Sequence, residues 1–483
     1  MIRALHEKLL AKEITAVELA EGYFAQIESR NEELNAYLTV TKEQALRDAT
    51  FVDEKIAKGE SIGLLSGIPG AIKDNICITG VRTTAASKIL DNFIAPYDAT
   101  VIDRLKKENA IFLGKTNLDE FAMGASTENS AYGPTRNPID TTRVPGGSSG
   151  GSAVAVAGDM AVWALGSDTG GSIRQPASFC GIVGLKPTYG RVSRAGVIAM
   201  ASSLDQVGPL TRTVEDAAIV LSVISGFDIH DATTGESDAR DYTACLDGKV
   251  RGLRIGIPKE YFTEELDVRV RQVAEEAIER FRSLGAEIVP ISLPRSKYAL
   301  AVYYLVMPCE VSSNLARYDG IRFGLSLNDA EDSIPGTSGL LETYLDTRRH
   351  GFGAEVKRRI MLGTYALSAG YYDAYYKKAQ QVRRLIREDF QAAFETVDFI
   401  FSPTAPEVAF KLGEKSNDPL KMYLSDVYTV TANLVGVPAI SFPIGTLETE
   451  GRYLPLGGQL MGKWYDEEGI LRMADAFEKM NKE

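Results

Sequence analysis

The sequence predicts an α/β fold, in which a β-sheet carries helices on both faces, and two observations support this. Short apolar runs typical of buried strands, at 68–72, 110–113 and 161–165, alternate with helical patterns such as 99–109. Later in the chain, residues 253–290 read as one complete strand–helix–strand unit, whose helix is followed by glycine. Strands that alternate with helices predict a sheet whose connections cover both of its faces.

The N-terminal part of the chain is predicted to be helical. Thr15 and Thr41 are each followed three residues later by Glu or Gln, which is the pattern of a capping box at a helix start. Helices are therefore expected to begin at these threonines and to run to about residues 30 and 58. We expect residues 1–58 to form helices that pack on the core and residues 59–483 to form the main domain.

Within the main domain, the glycine-rich stretch of about 66–212 is the expected catalytic core, because twelve of the 44 glycines fall between residues 146 and 196. A helical, tyrosine-rich region is expected at about 297–390, with a polar loop at 328–338. The remaining expected elements are a helix at 213–225, strands at 181–185, 399–401, 439–442 and 456–460, and a terminal helix at 466–480.

Composition excludes several classes of protein. The 483 residues are 45% apolar and 24% charged, an ordinary balance for a globular chain, and the formal net charge of −12 does not suit a protein that grips a phosphate backbone by itself. The four cysteines are widely spaced and form no C-x-x-C pair, so no metal site is expected. No signal peptide or membrane-spanning run is recognisable, and a cytoplasmic location is expected.

Two Gly/Ser clusters, at 146–152 and 168–172, bracket a run of small apolar residues. Glycines let backbone amides approach a ligand, and consecutive amides in such turns form anion-binding nests. A serine hydroxyl can attack a carbonyl carbon when a base removes its proton. The alternative is that both clusters are flexible linkers, although linkers do not usually enclose a dense apolar run.

The base for such a serine is not settled by local sequence. Residues 146–150 match the G-x-S-x-G pattern of Ser-His-Asp hydrolases, but the three histidines, His6, His230 and His350, all lie far from the clusters in sequence. Lys73 ends the apolar run 68–72, where burial would lower its pKa and make it a base. The alternative for Lys73 is a surface lysine at a strand end.

Three motifs together resemble the amidase-signature enzymes. They are GAIKDN around Lys73, PGGSSGGS around Ser148 and GSDTGGSIRQPA around Ser172. The resemblance implies the amidase-signature fold, a large mixed β-sheet covered by helices on both faces. It also implies a Ser–Ser–Lys triad, with Ser172 as the nucleophile, Ser148 as the proton relay after a cis Gly147–Ser148 bond, and Lys73 as the general base and later acid. Cys180 remains a second candidate nucleophile.

The same resemblance implies further site residues. Backbone N–H groups of Thr169, Gly170 and Gly171, up to Ser172, would form the oxyanion hole, which meets the charge that develops on the substrate oxygen. The segment KTNLDEFAMG, which ends in Met123 and Gly124, resembles the substrate-side loop of the family.

Longer phrases, such as SIRQPA at 172–177 and SSNLARYDG at 312–320, resemble one branch of the family, the glutamine-hydrolysing A subunits of tRNA-dependent amidotransferases. This implies a pocket for glutamine, in which Arg359 would bind the α-carboxylate, Asp426 the α-ammonium, and Tyr303 would line the wall. The neighbouring Arg358 is the alternative to Arg359. Both arginines could instead belong to a solvated helix face, and Asp426 could be an ordinary loop acid.

The branch also implies partners, which are the B and C subunits of the amidotransferase. Ammonia released from glutamine would pass to the B subunit, which uses ATP and Mg²⁺ to convert Glu-tRNA(Gln) to Gln-tRNA(Gln) and binds most of the tRNA, while the small C subunit tethers the other two. This chain has no G-x-x-x-x-G-K-[ST] loop, so no cofactor is expected on it. The alternatives are a stand-alone amidase acting on another small amide and a catalytically inactive scaffold.

Overall fold

The computed structural model describes residues 1–235, 240–264, 266–327 and 339–480. The polar loop expected at 328–338 lies outside the described residues. The described part of the chain contains eleven strands, all in one sheet, and fifteen α-helices. No helix in this part of the chain is long and apolar enough to cross a membrane.

The strands alternate with helices as the sequence predicted. They are β1 Tyr37–Val40, β2 Pro69–Lys73, β3 Ile111–Thr116, β4 Trp163–Asp168, β5 Val183–Lys186, β6 Gln206–Thr211, β7 Arg254–Pro258, β8 Glu287–Ile291, β9 Phe399–Pro403, β10 Ala439–Thr449 and β11 Arg452–Gly462. Their order across the sheet is β1-β3-β2-β4-β6-β5-β10-β11-β9-β7-β8. Parallel pairing joins β3 to β2, β2 to β4, β9 to β7 and β7 to β8, and the other pairs are antiparallel. The predicted mixed sheet is confirmed.

The helices connect these strands and cover them. They are α1 Ile2–Leu10, α2 Ala16–Leu34, α3 Lys42–Ala57, α4 Thr100–Lys107, α5 Gly150–Ala157, α6 Arg174–Cys180, α7 Val214–Ile224, α8 Val268–Ser283, α9 Ala299–Asn314, α10 Leu340–Gly351, α11 Ala354–Leu367, α12 Lys378–Thr396, α13 Pro419–Leu424, α14 Val430–Val435 and α15 Glu467–Met480.

Helices lie on both faces of the sheet, which contacts at β10 show. A Cβ atom on Gly457 of β11 would lie 2.7 Å from Ser178 Cβ in α6 and 2.9 Å from Ser441 Oγ in β10, so Ser441 points to the α6 side. The next residue, Phe442, packs on Phe477 of α15, with ring centroids 5.3 Å apart. Successive strand residues point to opposite faces, so α6 and α15 cover different faces.

The N-terminal part contains a strand that the sequence reading missed. Strand β1 follows α2 and pairs antiparallel with β3, so residues 1–58 contribute to the sheet as well as helices. Thr15 forms the expected capping box with Glu18. Thr41 does not cap α3, because its hydroxyl donates to the carbonyl of Phe112 at 2.8 Å. The boundary at 58/59 stays a prediction.

Strand direction positions the two Gly/Ser clusters. Strands β3, β2 and β4 are parallel neighbours, so their carboxyl ends meet at one edge of the sheet, where α/β proteins bind ligands. Lys73 is the last residue of β2, and Asp168 is the last residue of β4. The second cluster therefore begins beside Lys73, although 94 residues separate Lys73 from Ser167 in sequence.

Candidate active site

Lys73 is fully buried and is surrounded by hydroxyl groups. Its Nζ donates to Ser148 Oγ and to Ser149 Oγ, both at 2.8 Å, and to Ser167 Oγ at 3.0 Å. In the described part of the chain it forms no ion pair with an acid. The alternative of a surface lysine is therefore wrong, and the two Gly/Ser clusters are ordered parts of a buried centre rather than flexible linkers.

Burial makes Lys73 a base near neutral pH. Loss of hydration lowers its pKa to about 7, and the charges of Asp119, Asp168 and Asp205 only partly oppose this shift. A large fraction of Lys73 is thus uncharged at neutral pH and can accept a proton. Because the shift is downward, the neutral, proton-accepting form is gained as the pH rises through about 7.

Ser148 lies at the junction of three segments. The Gly147–Ser148 peptide bond is cis, as the family resemblance implied. The Gly147 N–H donates to Gln175 Oε1 at 2.8 Å, and the Ser148 carbonyl accepts the Asp119 N–H at 3.3 Å. Ser148 is fully buried, so its hydroxyl can exchange protons only with neighbouring groups such as Lys73.

Ser172 lies in the turn between β4 and α6. It is 7% exposed, whereas Ser148 and Ser149 are fully buried, so among these hydroxyls it is the one that a substrate can reach. The Ser149 N–H donates to the Ser172 carbonyl at 3.1 Å, which joins the two clusters. Ser172 therefore combines partial access to solvent with a direct backbone link to the segment that contacts Lys73.

The turn before Ser172 is held by the carboxylate of Asp168, which accepts the N–H groups of Gly171 at 2.9 Å and Ile173 at 3.1 Å. Burial would raise the pKa of Asp168, but the Arg174 guanidinium holds it at about 2. The Gly171 N–H is thus already engaged, which differs from its expected role in the oxyanion hole. In the described residues, the Gly170 and Ser172 amides donate no hydrogen bond, and with Thr169 they remain the predicted donors.

Tyr303 and Thr429 enclose this turn. A Cβ atom on Gly170 would lie 2.6 Å from Tyr303 Cζ, so only glycine lets the ring approach. Thr429 Oγ1 donates to the Gly170 carbonyl at 2.6 Å, and a side chain on Gly171, whose φ is +140°, would strike Thr429. Tyr303 therefore packs directly on the Gly170 turn, and its role in lining the glutamine pocket stays a prediction.

Asp426 is connected to the same turn. Its carbonyl accepts the Thr429 hydroxyl at 3.1 Å, and its carboxylate accepts the Tyr304 hydroxyl at 3.0 Å. The Arg359 guanidinium lies 5.4 Å from the centroid of the Tyr304 ring. Burial raises the pKa of Asp426 to about 7, although Tyr304 and Arg359 lower it. The structure thus brings the predicted cation and the predicted anion into contact with one side chain, Tyr304.

The two candidate arginines of α11 point in different directions. The Arg359 side chain is 4% exposed and donates to Glu355 Oε1 at 2.7 Å. The Arg358 side chain is 44% exposed and pairs with the other carboxylate oxygen, Glu355 Oε2. Of the two arginines, Arg359 also contacts α9 in the described structure, with 3.5 Å between its Nη1 and the Sδ atom of Met307. This geometry favours Arg359 as the carboxylate ligand.

The adjacent arginines form a matched pair for mutation. Arg359 is buried and Arg358 is exposed. If the substrate is glutamine, as the resemblance implies, Arg359→Lys should raise its KM about tenfold or more, since lysine cannot reproduce a planar two-pronged contact with a carboxylate. Arg358→Lys should leave KM within about twofold. Steady-state hydrolysis of glutamine measures both values. Equal effects of the two substitutions would contradict the assignment.

Met123 and Gly124 lie on a loop beside Gly147 and Ser148. Met123 is fully buried and its carbonyl accepts Asn129 Nδ2 at 3.3 Å. Gly124 packs against the Asp119 carboxylate. The loop touches Gly147, since a Cβ atom there would lie 2.6 Å from Ser126 N. Their role in substrate binding stays a prediction.

The competing nucleophile and bases receive no support from the geometry. His350 is exposed on α10 and contacts the Asp346 carbonyl, and in the described residues no hydrogen bond joins a histidine to either Gly/Ser cluster. Cys180 is 3% exposed, and burial raises the pKa of its thiol far above neutrality, so it is not a thiolate. In the part of the chain that the structure describes, no group of three His, Cys, Asp or Glu side chains is arranged to hold a metal ion.

Sequence reasoning missed several residues of this centre. Ser149 and Ser167 bind Lys73, and Thr429 binds the Gly170 turn. Ser149 could have been found, since it follows Ser148 in the same cluster. Thr429 carries no local signal, because it reaches the turn from a segment about 260 residues away.

Comparison with known proteins identifies the family of this chain. A family model described as amidase matches residues 18–471. The chain belongs to the amidase family. It is 58% identical to a protein of Carboxydothermus hydrogenoformans and 57% identical to one of Trichlorobacter lovleyi, both named as the A subunit of glutamyl-tRNA(Gln) amidotransferase. Each comparison covers 99% of this chain and 96% of the relative.

Solved structures of the family share the fold. The A subunit of glutamyl-tRNA(Gln) amidotransferase from Thermotoga maritima is 42% identical, with a TM-score of 0.77 over 96% of this chain and 91% of that one. A peptide amidase from Stenotrophomonas maltophilia is 32% identical, with a TM-score of 0.83 over 100% of this chain and 96% of that one. These similarities confirm the predicted amidase-signature fold and family.

Proposed function

We propose that this chain is the glutamine-hydrolysing A subunit of a tRNA-dependent amidotransferase, which converts Glu-tRNA(Gln) to Gln-tRNA(Gln). The observation that carries the proposal is that two buried groups of opposite charge, Arg359 and Asp426, both contact Tyr304. Asp426 is also linked through Thr429 to the Gly170 turn. The curated relatives that carry the A-subunit name match nearly the whole chain at more than half identity, which supports the same conclusion.

Glutamine fits this pair because it carries an α-carboxylate and an α-ammonium in addition to its side-chain amide. Arg359 would bind the carboxylate and Asp426 the ammonium, and Tyr303 would lie along the chain of the substrate. Both charged side chains are almost fully buried, so they bind a ligand in a medium of low dielectric, where charge complementarity counts most. The side-chain amide would then extend toward Ser172.

The catalytic steps follow from the contacts of Lys73. In the proposed mechanism, Ser172 Oγ attacks the side-chain amide carbon of glutamine and forms a tetrahedral intermediate. The hydroxyl proton passes to Ser148, whose own proton passes to the neutral Lys73 amine 2.8 Å away. The Gly170 and Ser172 amides, together with that of Thr169, would stabilise the negative oxygen.

The intermediate then collapses and releases ammonia. Lys73, now an ammonium, returns a proton through Ser148 to the leaving nitrogen, which leaves an ester between Ser172 and the glutamyl group. A water molecule attacks this ester with the same groups as base and acid, and glutamate is released. No step requires a metal or cofactor on this chain.

The released ammonia contributes to amidation only when a partner subunit uses it. The B subunit of the complex would activate the tRNA-bound glutamate with ATP and Mg²⁺ and accept the ammonia, and the C subunit would hold the other two together. The net charge of −12 on this chain supports placing most of the tRNA contacts on the B subunit.

A stand-alone amidase acting on another small amide is the second candidate. The observation that favours it is the high structural similarity to the peptide amidase of Stenotrophomonas maltophilia. The same Ser–Ser–Lys chemistry would serve both functions. The two candidates differ in whether the pocket requires the charged α-groups of glutamine.

Replacement of Asp426 tests this difference. In Asp426→Ala, kcat/KM for glutamine should fall by one to several orders of magnitude, because loss of one partner from a desolvated charge pair costs on the order of 3–5 kcal/mol. Slow turnover of propionamide, which lacks both α-groups, should barely change. Steady-state kinetics on the two substrates measures the contrast.

Asp373→Ala is the matched control, since Asp373 is 79% exposed and, among the described residues, forms its ion pair with Lys377 on the surface. It should leave both substrates unaffected. Equal losses on glutamine and propionamide in Asp426→Ala would show that Asp426 is structural. Efficient propionamide hydrolysis by the unmutated protein would favour the stand-alone amidase.

A further inference from the structure

Asp119 is a buried acid beside the relay serine that the mechanism above does not use. It is fully buried, and in the described part of the chain it forms no ion pair with a cation. Its backbone N–H donates to the Ser148 carbonyl at 3.3 Å. A buried carboxylate without a paired cation is costly unless something nearby compensates for its charge.

The carboxylate of Asp119 holds the substrate-side loop. Oδ2 accepts the Thr127 N–H at 2.9 Å, and Oδ1 accepts the Asn129 N–H at 3.2 Å. The group is wedged between Gly124 and Gly147, and a side chain at either glycine would strike it. One carboxylate therefore contacts both the loop expected to border the substrate and the residue that precedes the cis bond to Ser148.

Lys73 also lacks a charged partner in direct contact within the described residues. The partners that its Nζ contacts are the uncharged Ser148, Ser149 and Ser167. When it takes the proton during acylation, it becomes a buried ammonium that no adjacent acid neutralises. Three acids act on it from a greater distance, and of these Asp119 acts most strongly.

The other two acids are already engaged by groups of their own. Asp168 forms a buried ion pair with Arg174, with 3.0 Å between Oδ1 and Nη2. Asp205 accepts the Thr169 hydroxyl at 2.7 Å and the N–H groups of Met200 and Ala201. Within the described residues, Asp119 is the acid of the three whose carboxylate is bound by backbone N–H groups alone, with neither a cation nor a hydroxyl donor.

We propose that Asp119 is a positioning residue of the amidase reaction: its negative charge stabilises the protonated form of Lys73, and its contacts with the substrate-side loop keep the relay serine in place. The inference rests on the proposed role of Lys73 as the base. Asp119 acts through Lys73 and Ser148 and does not itself touch the reacting atoms.

The charge of Asp119 sets the direction of the expected effect. A negative charge favours the ammonium form of Lys73 and so raises its pKa, and removal of that charge lets the pKa fall. The charged groups that act on Lys73 are Asp119, Asp168 and Asp205, and those that act on Asp119 are Glu128 and Lys73. Burial raises the pKa of Asp119 to about 6, so above that pH its charge is present.

The test is the pH profile of the acylation rate, measured at saturating glutamine because a bound α-ammonium keeps Asp426 charged. In Asp119→Asn, the acid limb should move to lower pH by on the order of one unit. The rate at pH 8 should also fall, because the ammonium that must protonate the leaving group is less stable. Asp119→Ser, which is small enough for the space between Gly124 and Gly147, is measured alongside in case the asparagine variant does not fold.

Glu120→Gln is the matched control. Glu120 is the next residue, is also buried, and binds Ser87 and the Gly353 N–H, but it is not among the charges that act on Lys73. In the Glu120→Gln variant, the acid limb of the pH profile should stay at the wild-type pH. A limb that stays in place in a folded Asp119 variant, or that moves equally in Glu120→Gln, overturns the inference. Retained hydrolysis in Lys73→Ala would instead overturn the proposed role of Lys73 as the base, on which this inference rests.

Discussion

Ser172→Ala should abolish glutamine hydrolysis while the assembled amidotransferase still amidates Glu-tRNA(Gln) with free ammonia. The first effect is expected because Ser172 is the most exposed hydroxyl of the two Gly/Ser clusters in the described residues and is the proposed nucleophile of the acyl intermediate. The second is expected because ammonia added from solution bypasses this site. A fall of at least about 10⁴-fold in glutamine turnover is expected on the scale of lost nucleophiles.

The measurement compares glutamine-dependent and ammonia-dependent product formation by the variant complex, co-purified with its B and C subunits. Cys180→Ala is the control, since Cys180 is the second candidate nucleophile but is buried with a strongly raised thiol pKa. It should retain both activities. Glutaminase activity that survives Ser172→Ala would show that Ser172 is not the nucleophile. Loss of the ammonia reaction as well would point to a misfolded complex.

The catalytic centre was predictable from sequence because its candidate residues lie in three short segments with strong local patterns. Lys73 ends an apolar strand, and Ser148 and Ser172 lie in Gly-rich turns. Of the environment of Lys73, the burial was predictable from the sequence but the neighbouring side chains were not. Burial could be inferred from the apolar run before it, but the serines around it depend on how β2 lies beside β4.

The parts that escaped prediction depend on contacts distant in sequence. Strand β1 was missed because four residues after a long helix carry too little periodic signal, and its strand character depends on pairing with β3. The predicted capping role of Thr41 was wrong for the same reason. The Thr41 hydroxyl donates instead to the carbonyl of Phe112 in the adjacent strand β3. Tertiary contacts decided both cases.

The proposed glutamine pocket was partly predictable from sequence. Family resemblance named Arg359 and Asp426, but adjacent arginines left the register open by one residue. The structure separates them by exposure, because successive residues of a helix point about 100° apart and only one of them faces the pocket. Tyr304, which contacts both charged groups, has no distinctive sequence signal among 21 tyrosines.

Lys73→Arg should be nearly inactive although the positive charge is kept. A general base must give up its proton before it can accept another, and the arginine pKa is too high for this at any pH that the protein tolerates. Loss of general base catalysis costs about 10²–10⁴-fold in rate. The wild-type rate should rise with pH through about 7, where Lys73 becomes neutral, and fall about tenfold per unit below it.

The acylation rate of wild type and variant, measured from about pH 5.5 to 9, tests this expectation. Lys73→Arg should be slow at every pH and should lack the acid limb, because the group that produces the limb no longer titrates. His350→Ala is the control, since His350 is exposed and, in the described residues, forms no hydrogen bond with either Gly/Ser cluster. An inactive His350→Ala together with an active Lys73→Ala would instead support a histidine-dependent hydrolase. If Lys73→Arg kept the wild-type profile, the proton acceptor would have to be another group, and the hydroxyl cluster around Lys73 would be structural.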